Sequence, residues 1–88
     1  SDSVLIESGI VNISTNQTVE TIVVDQSASV VVQNGAILTI TGNYYDLGGA
    51  IDASAGKVVL IGNAFSSTGL KLEKSSPFEL KGGLELGQ

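Results

Sequence analysis

Apolar and polar residues alternate with a period of two along most of the chain, in runs of strand length separated by turn-forming residues. The pattern predicts strands over 4–7, 11–14, 21–25, 29–33, 37–41, 50–53, 57–61, 70–73, 78–81 and 84–86. Between them stand Ser8-Gly9, Asn34-Gly35, Gly42-Asn43, Gly48-Gly49, Gly62-Asn63 and Gly82-Gly83, residues that favour turns. No segment carries an i, i+3, i+4, i+7 apolar face of helical length. The reading is all-β.

The strands also share a longer register. Leu38/Ile40, Val58/Leu60 and Phe78/Leu80 recur at intervals of 20 residues, each pair followed by a glycine at Gly42, Gly62 or Gly82. Two more series run beside this one. Val11/Ile13, Val30/Val32, Ile51/Ala53 and Leu70/Leu72 form one face, and Val4/Ile6, Ile22/Val24, Tyr45/Leu47, a weak rung near Phe65 and Leu84/Leu86 form another. Val19/Thr21 is the expected first rung of the Leu38 face. A strand-and-glycine repeat of this length is the mark of a stack of coils. It predicts a single-stranded parallel β-solenoid with three faces, about 20 residues per turn and about four turns, as one domain over 1–88 or a segment of a longer or assembled solenoid. An antiparallel sandwich is the competing arrangement, because Asn34-Gly35 is also a good hairpin turn. The stretch 66–69 reads as a protruding loop.

Composition agrees with strands. The apolar 42% is Val, Ile, Leu and Ala with four aromatic rings and no Met or Trp, and β-branched residues suit a pleated surface. The net charge of −5, with four lysines and no arginine, argues against nucleic acid, where clustered cations must neutralise phosphate. It argues equally against anionic lipid, and no apolar run approaches the length of a membrane span. Without cysteine there are no disulfides and no thiolate metal sites. An acidic, Ser/Thr/Asn-rich chain free of arginine suits an extracellular, cell-surface or virion-surface location.

Side chains able to do chemistry are scarce. With no His, Cys or Arg, neither a Ser-His-Asp nor a Cys-His arrangement can be built. Asp52, Glu79 and Glu85 alternate with inward residues and read as solubilising positions. The sequence therefore indicates no enzyme, no cofactor and no metal site. Calcium is the one ion worth weighing, with oxygen ligands from Asn43, Asp46 and Asp52, but their spacing matches neither an EF-hand loop nor the nonapeptide Gly/Asp calcium repeat. Tyr44 and Tyr45 point in opposite directions at a corner, so one packs inward and the other faces solvent as a candidate glycan contact. Two Asn-x-Ser/Thr triplets, at Asn12 and Asn16, are too short a pattern to carry weight in such a composition.

The outward apolar residues are more informative. Val23, Val31, Ile37, Val59 and Ile61 alternate with the inward set and form a candidate partner or assembly surface. No amphipathic cap helix precedes Val4 or follows Leu86. A solenoid exposes unpaired strand groups at its terminal turns, so the expected partners are further copies or neighbouring solenoid segments, with a cell-surface glycan as the other class.

The stretch from Ala36-Ile37-Leu38-Thr39-Ile40-Thr41-Gly42-Asn43 through Gly49-Ala50-Ile51-Asp52-Ala53-Ser54 to Val58-Val59-Leu60-Ile61-Gly62 resembles a known pattern. It is similar to the repetitive β-solenoid regions of large secreted surface proteins and adhesins of Bacteroidetes-type bacteria, and to fibres and spikes of phages that infect such cells. The likeness covers roughly residues 28–63 and contains no catalytic motif. It implies a structural module of a filament, adhesin or virion appendage; a carbohydrate-binding β-helix using the Tyr44/Tyr45 corner is the alternative.

Overall fold

The computed structural model describes residues 3–66, 78–80 and 84–86. Their backbone winds as an all-β parallel β-solenoid of about 20 residues per turn and about three turns. The strands are β1 (Ser3–Ile13), β2 (Gln17–Val19), β3 (Thr21–Val32), β4 (Ile37–Ile40), β5 (Asn43–Leu47), β6 (Ala50–Asp52), β7 (Lys57–Leu60), β8 (Asn63–Ser66), β9 (Phe78–Leu80) and β10 (Leu84–Leu86). One sheet runs β1-β3-β5-β8-β10, with β6 also paired to β3; the other runs β2-β4-β7-β9. Apart from β5 and β6, which both belong to the first sheet, consecutive strands alternate between the two sheets, and hydrogen bonding is between turns.

All the strand pairings among the described residues are parallel. Asn34-Gly35 makes a corner instead of a hairpin. Gly35 adopts φ 79°, and its N–H donates to the Ala55 carbonyl of the next turn at 3.1 Å. The sandwich alternative is thereby removed.

The core is a set of columns along the axis. Leu38, Val58 and Phe78 are register partners, as are Ile40, Leu60 and Leu80. On a second face Val11 pairs with Val30 and Val30 with Ile51. Leu38, Ile40, Val30, Ile51, Val58 and Leu60 are all buried, and each such side chain contributes about 1.5–3 kcal/mol of transfer free energy. The expected rung at Leu70/Leu72 and the loop beyond Ser66 lie outside the described residues.

Two parts of the expected register are corrected. In the first turn Val19 pairs with Ile40 and Gln17 with Leu38, so Thr21 does not share the Val19 face; it opens β3 opposite Ser3. Glu20 takes the corner between them, its carbonyl accepting the N–H groups of Gly42 (2.8 Å) and Asn43 (3.1 Å). On the third face Tyr44 and Asp46 point inward, in register with Ile22 and Val24, while Tyr45 is half-buried and Leu47 exposed. The phase is set by the corner, since Gly42 turns the chain and Asn43 starts β5 outward. One turn on, the inward rung is Ala64, and Phe65 faces out.

The corners explain several of the glycines. A Cβ on Gly62 would land on the carbonyl oxygen of Gly42 in the turn before, and one on Gly49 on the Asp25 oxygen and the Val24 side chain. The backbones of successive turns are thus in direct contact at these corners, and only glycine permits it. Two of the expected strand pairs, 4–7 with 11–14 and 21–25 with 29–33, are joined into the long strands β1 and β3. The register between them shifts after Ile6, where β3 holds one more residue than β1.

Candidate functional site

The outward side of the Ile22–Tyr44–Ala64 face carries one continuous apolar column. Leu5, Val23, Tyr45 and Phe65 are successive register partners across four turns' strands, β1, β3, β5 and β8. Leu5 is 60% exposed at its start, and the other three are half-buried. The Tyr45 and Phe65 rings stack with centroids 5.2 Å apart and an interplanar angle of 16°. Asn43, on the adjacent outward column with Asn63, donates from Nδ2 to the Tyr45 hydroxyl at 3.3 Å. Glu7 and Asp25 occupy the next outward positions along β1 and β3. The result is an aromatic-aliphatic ridge with asparagines along one side and Glu7, Asp25 and the exposed Leu47 along the other.

Of the five residues expected to form an outward surface, only Val23 belongs to this ridge. Val31 lies on the other half of β3 between Asn12 and Asp52. Ile37 stands beside Lys57, and Val59 between Thr39 and Glu79, on the second sheet. Ile61 follows at the corner, 45% exposed, its N–H bonded to the Ile40 carbonyl. The five all face outward, with Ile37, Val59 and Ile61 on the second sheet and its following corner and Val23 and Val31 on the two halves of β3. Phe65 was missed because the third face was read one residue out of phase from Tyr45 onward, and counting alternation from the Gly62 corner would have found it; Leu5 alternates with the inward Val4 and Ile6 but was not singled out.

Tyr44 and Tyr45 divide as alternation requires. Tyr44 is fully buried and Tyr45 half-buried. One face of the Tyr45 ring lies against Phe65, so what the pair offers to solvent is ring edge. The Tyr44 hydroxyl is buried with no hydrogen-bond partner. Burial, and secondarily the neighbouring Asp46, push its ionisation well above the ordinary tyrosine range.

Among the described residues the carboxylates do not converge on a cleft. Asp46 is fully buried and accepts the Gly48 N–H at 2.8 Å. Asp52 faces outward on β6 and accepts the backbone N–H and the hydroxyl of Ser54, at 3.0 and 2.7 Å. Asn43 is outward on β5. Asp46 is therefore on the opposite side of the wall from Asn43 and Asp52. Among the described residues no group of three or more acidic side chains is placed to hold a metal ion, and no helix is long and apolar enough to cross a membrane.

In comparisons with protein families, curated proteins and solved structures, nothing matched the chain.

Proposed function

We propose that the chain is a non-enzymatic structural protein, a rigid β-solenoid building block of an extracellular filament, adhesin or virion appendage that associates with further copies of itself. The observation that carries this reading is the sheet order. Both sheets run the length of the stack, from β1 and β2 at one end to β10 and β9 at the other, and among the described residues each of these strands has a neighbour on one side only. Edge strands of that kind template the addition of another strand. The absence of His, Cys and Arg from the sequence supports a role without catalysis, and the Bacteroidetes-type resemblance favours an extracellular setting.

A carbohydrate-binding module has less support. A sugar stacks on an open aromatic face, whereas the Tyr44 ring is inside the core and Tyr45 shares a face with Phe65. Light scattering on the 88-residue chain, separated by size at rising concentration, tests the proposal. Growth of mass with concentration is expected, and a fully folded monomer at every concentration would count against it.

A further inference from the structure

We propose that Asn34-Gly35 is a site of spontaneous deamidation, held closed in the folded chain by the corner of the next turn. Self-association plays no part in it.

The reaction is intramolecular. The Gly35 amide nitrogen attacks the Asn34 side-chain carbonyl carbon; that C–N bond forms, the bond from Cγ to Nδ2 breaks, and ammonia leaves with the amide proton. A five-membered succinimide results, and water opens it at either carbonyl to give aspartate or isoaspartate at position 34. The attack calls for a following residue with no side chain to crowd it and for a turn that folds the chain back on itself. Asn34 is the one asparagine of the sequence followed by glycine; Asn12, Asn16, Asn43 and Asn63 precede Ile13, Gln17, Tyr44 and Ala64. Two of those are also engaged, Asn16 Oδ1 accepting the Ile37 N–H at 3.0 Å and Asn43 Nδ2 donating to the Tyr45 hydroxyl at 3.3 Å.

The corner sets both reacting groups at the surface and then restrains one of them. Asn34 and Gly35 are exposed, at the centre of a β-turn closed by the Ala36 N–H donating to the Gln33 carbonyl at 2.9 Å. The Gly35 N–H carries the proton that must leave before the nitrogen becomes a nucleophile. It donates to the Ala55 carbonyl of the next turn at 3.1 Å. The Lys57 N–H stitches the two corners a second time, donating to the Ala36 carbonyl at 3.0 Å. Gly56 permits this closeness: a Cβ there would lie 2.6 Å from Val32 Cγ1 and 2.7 Å from the carbonyl oxygens of Gln33 and Ala36. Attack at Asn34 therefore needs the corner at 53–57 to lift from the corner at 33–36, a local opening short of unfolding. Reclosing does not undo the change. An isoaspartate link routes the main chain through the former side chain and adds a methylene ahead of Gly35, which carries its N–H away from Ala55.

Peptide mapping by mass spectrometry tests this on the 88-residue chain, incubated at mildly alkaline pH either folded or unfolded in guanidinium chloride. Asn34 is expected to convert ahead of the other asparagines in the unfolded chain. In the folded chain it should convert about tenfold more slowly or less, the factor that about 1.4 kcal/mol of opening free energy supplies. Hydrogen exchange of the Gly35 amide should be slowed in the folded chain as well. Gly56→Ala, which pries the two corners apart, is expected to keep the circular dichroism of the sheet and to raise the folded-state rate toward the unfolded one. Conversion of another asparagine ahead of Asn34 in the unfolded chain would overturn the site. Equal rates folded and unfolded, a folded Gly56→Ala with no acceleration, or a Gly35 amide that exchanges freely while Asn34 stays intact would overturn the latch. Should Gly56→Ala fail to fold, its Asn34 converts at the unfolded rate and the exchange of Gly35 in the unaltered chain decides the latch.

Discussion

Tyr44 and Ala64 are register partners in neighbouring turns, and both are fully buried. A large ring and a methyl group share one core column, so the volume that Tyr44 takes is volume that Ala64 leaves. Interiors are close-packed, and the pair should behave as a unit. Ala64→Leu is expected to cost about 1–3 kcal/mol by overpacking, and Tyr44→Ala about 3–5 kcal/mol by leaving a cavity. Combined, the two should cost less than their sum. Chemical denaturation of the single and double variants measures this directly.

The Tyr44 hydroxyl gives a sharper case. It is buried and unpartnered, and such a group costs about 1–3 kcal/mol. Tyr44→Phe should therefore leave stability unchanged or raise it, with a higher thermal midpoint as the readout.

The same hydroxyl predicts alkaline behaviour. Its ionisation lies above the ordinary range because burial opposes the charged form. The folded state thus holds a proton that the unfolded state gives up near pH ~10. Tyr44 contributes full stability below that value and less as pH rises above it. Unfolding free energy should fall on the alkaline side of about pH 10, and Tyr44→Phe should flatten that fall.

On the outer face, the Tyr45–Phe65 stack should be worth about 0.5–1.5 kcal/mol beyond area burial. A double-mutant cycle through Tyr45→Ala and Phe65→Ala reads that coupling. No coupling would mean that the ridge is not a rigid surface.

The corners separate two kinds of glycine. Gly62→Ala places a Cβ on the Gly42 carbonyl oxygen and should cost at least the ~1–3 kcal/mol of an overpacked core site. Gly35 has positive φ but open space around its Cβ position, so Gly35→Asn, a residue that tolerates left-handed backbone, should cost much less. Thermal melts of the two variants give the comparison.

Much of this architecture was legible in the sequence because aliphatic pairs and glycines recur together. Leu38, Val58 and Phe78, and Val11, Val30 and Ile51, fall into the columns that the 20-residue spacing indicated. The third face was misread where its inward residues are not aliphatic. Asp46 is an inward residue held by the Gly48 N–H, and hydropathy alternation alone favours its neighbours Tyr45 and Leu47. A side chain-to-backbone hydrogen bond thus overrides the apolar pattern, and with the phase lost the Leu5–Val23–Tyr45–Phe65 ridge disappears from view. The first turn was misread for a related reason: Glu20 serves as a corner where later turns use glycine, so Val19 and Thr21 look like one strand when the chain turns between them.

The central claim is that the parallel stack of one copy continues into the next. X-ray diffraction from aligned, concentrated protein tests it most directly. Strands lying across the long axis of an end-to-end filament should give a strong reflection along that axis at about 4.8 Å, the spacing between neighbouring strands. Aligned filaments without that axial reflection, or a solution of folded monomers that never forms filaments, would contradict it.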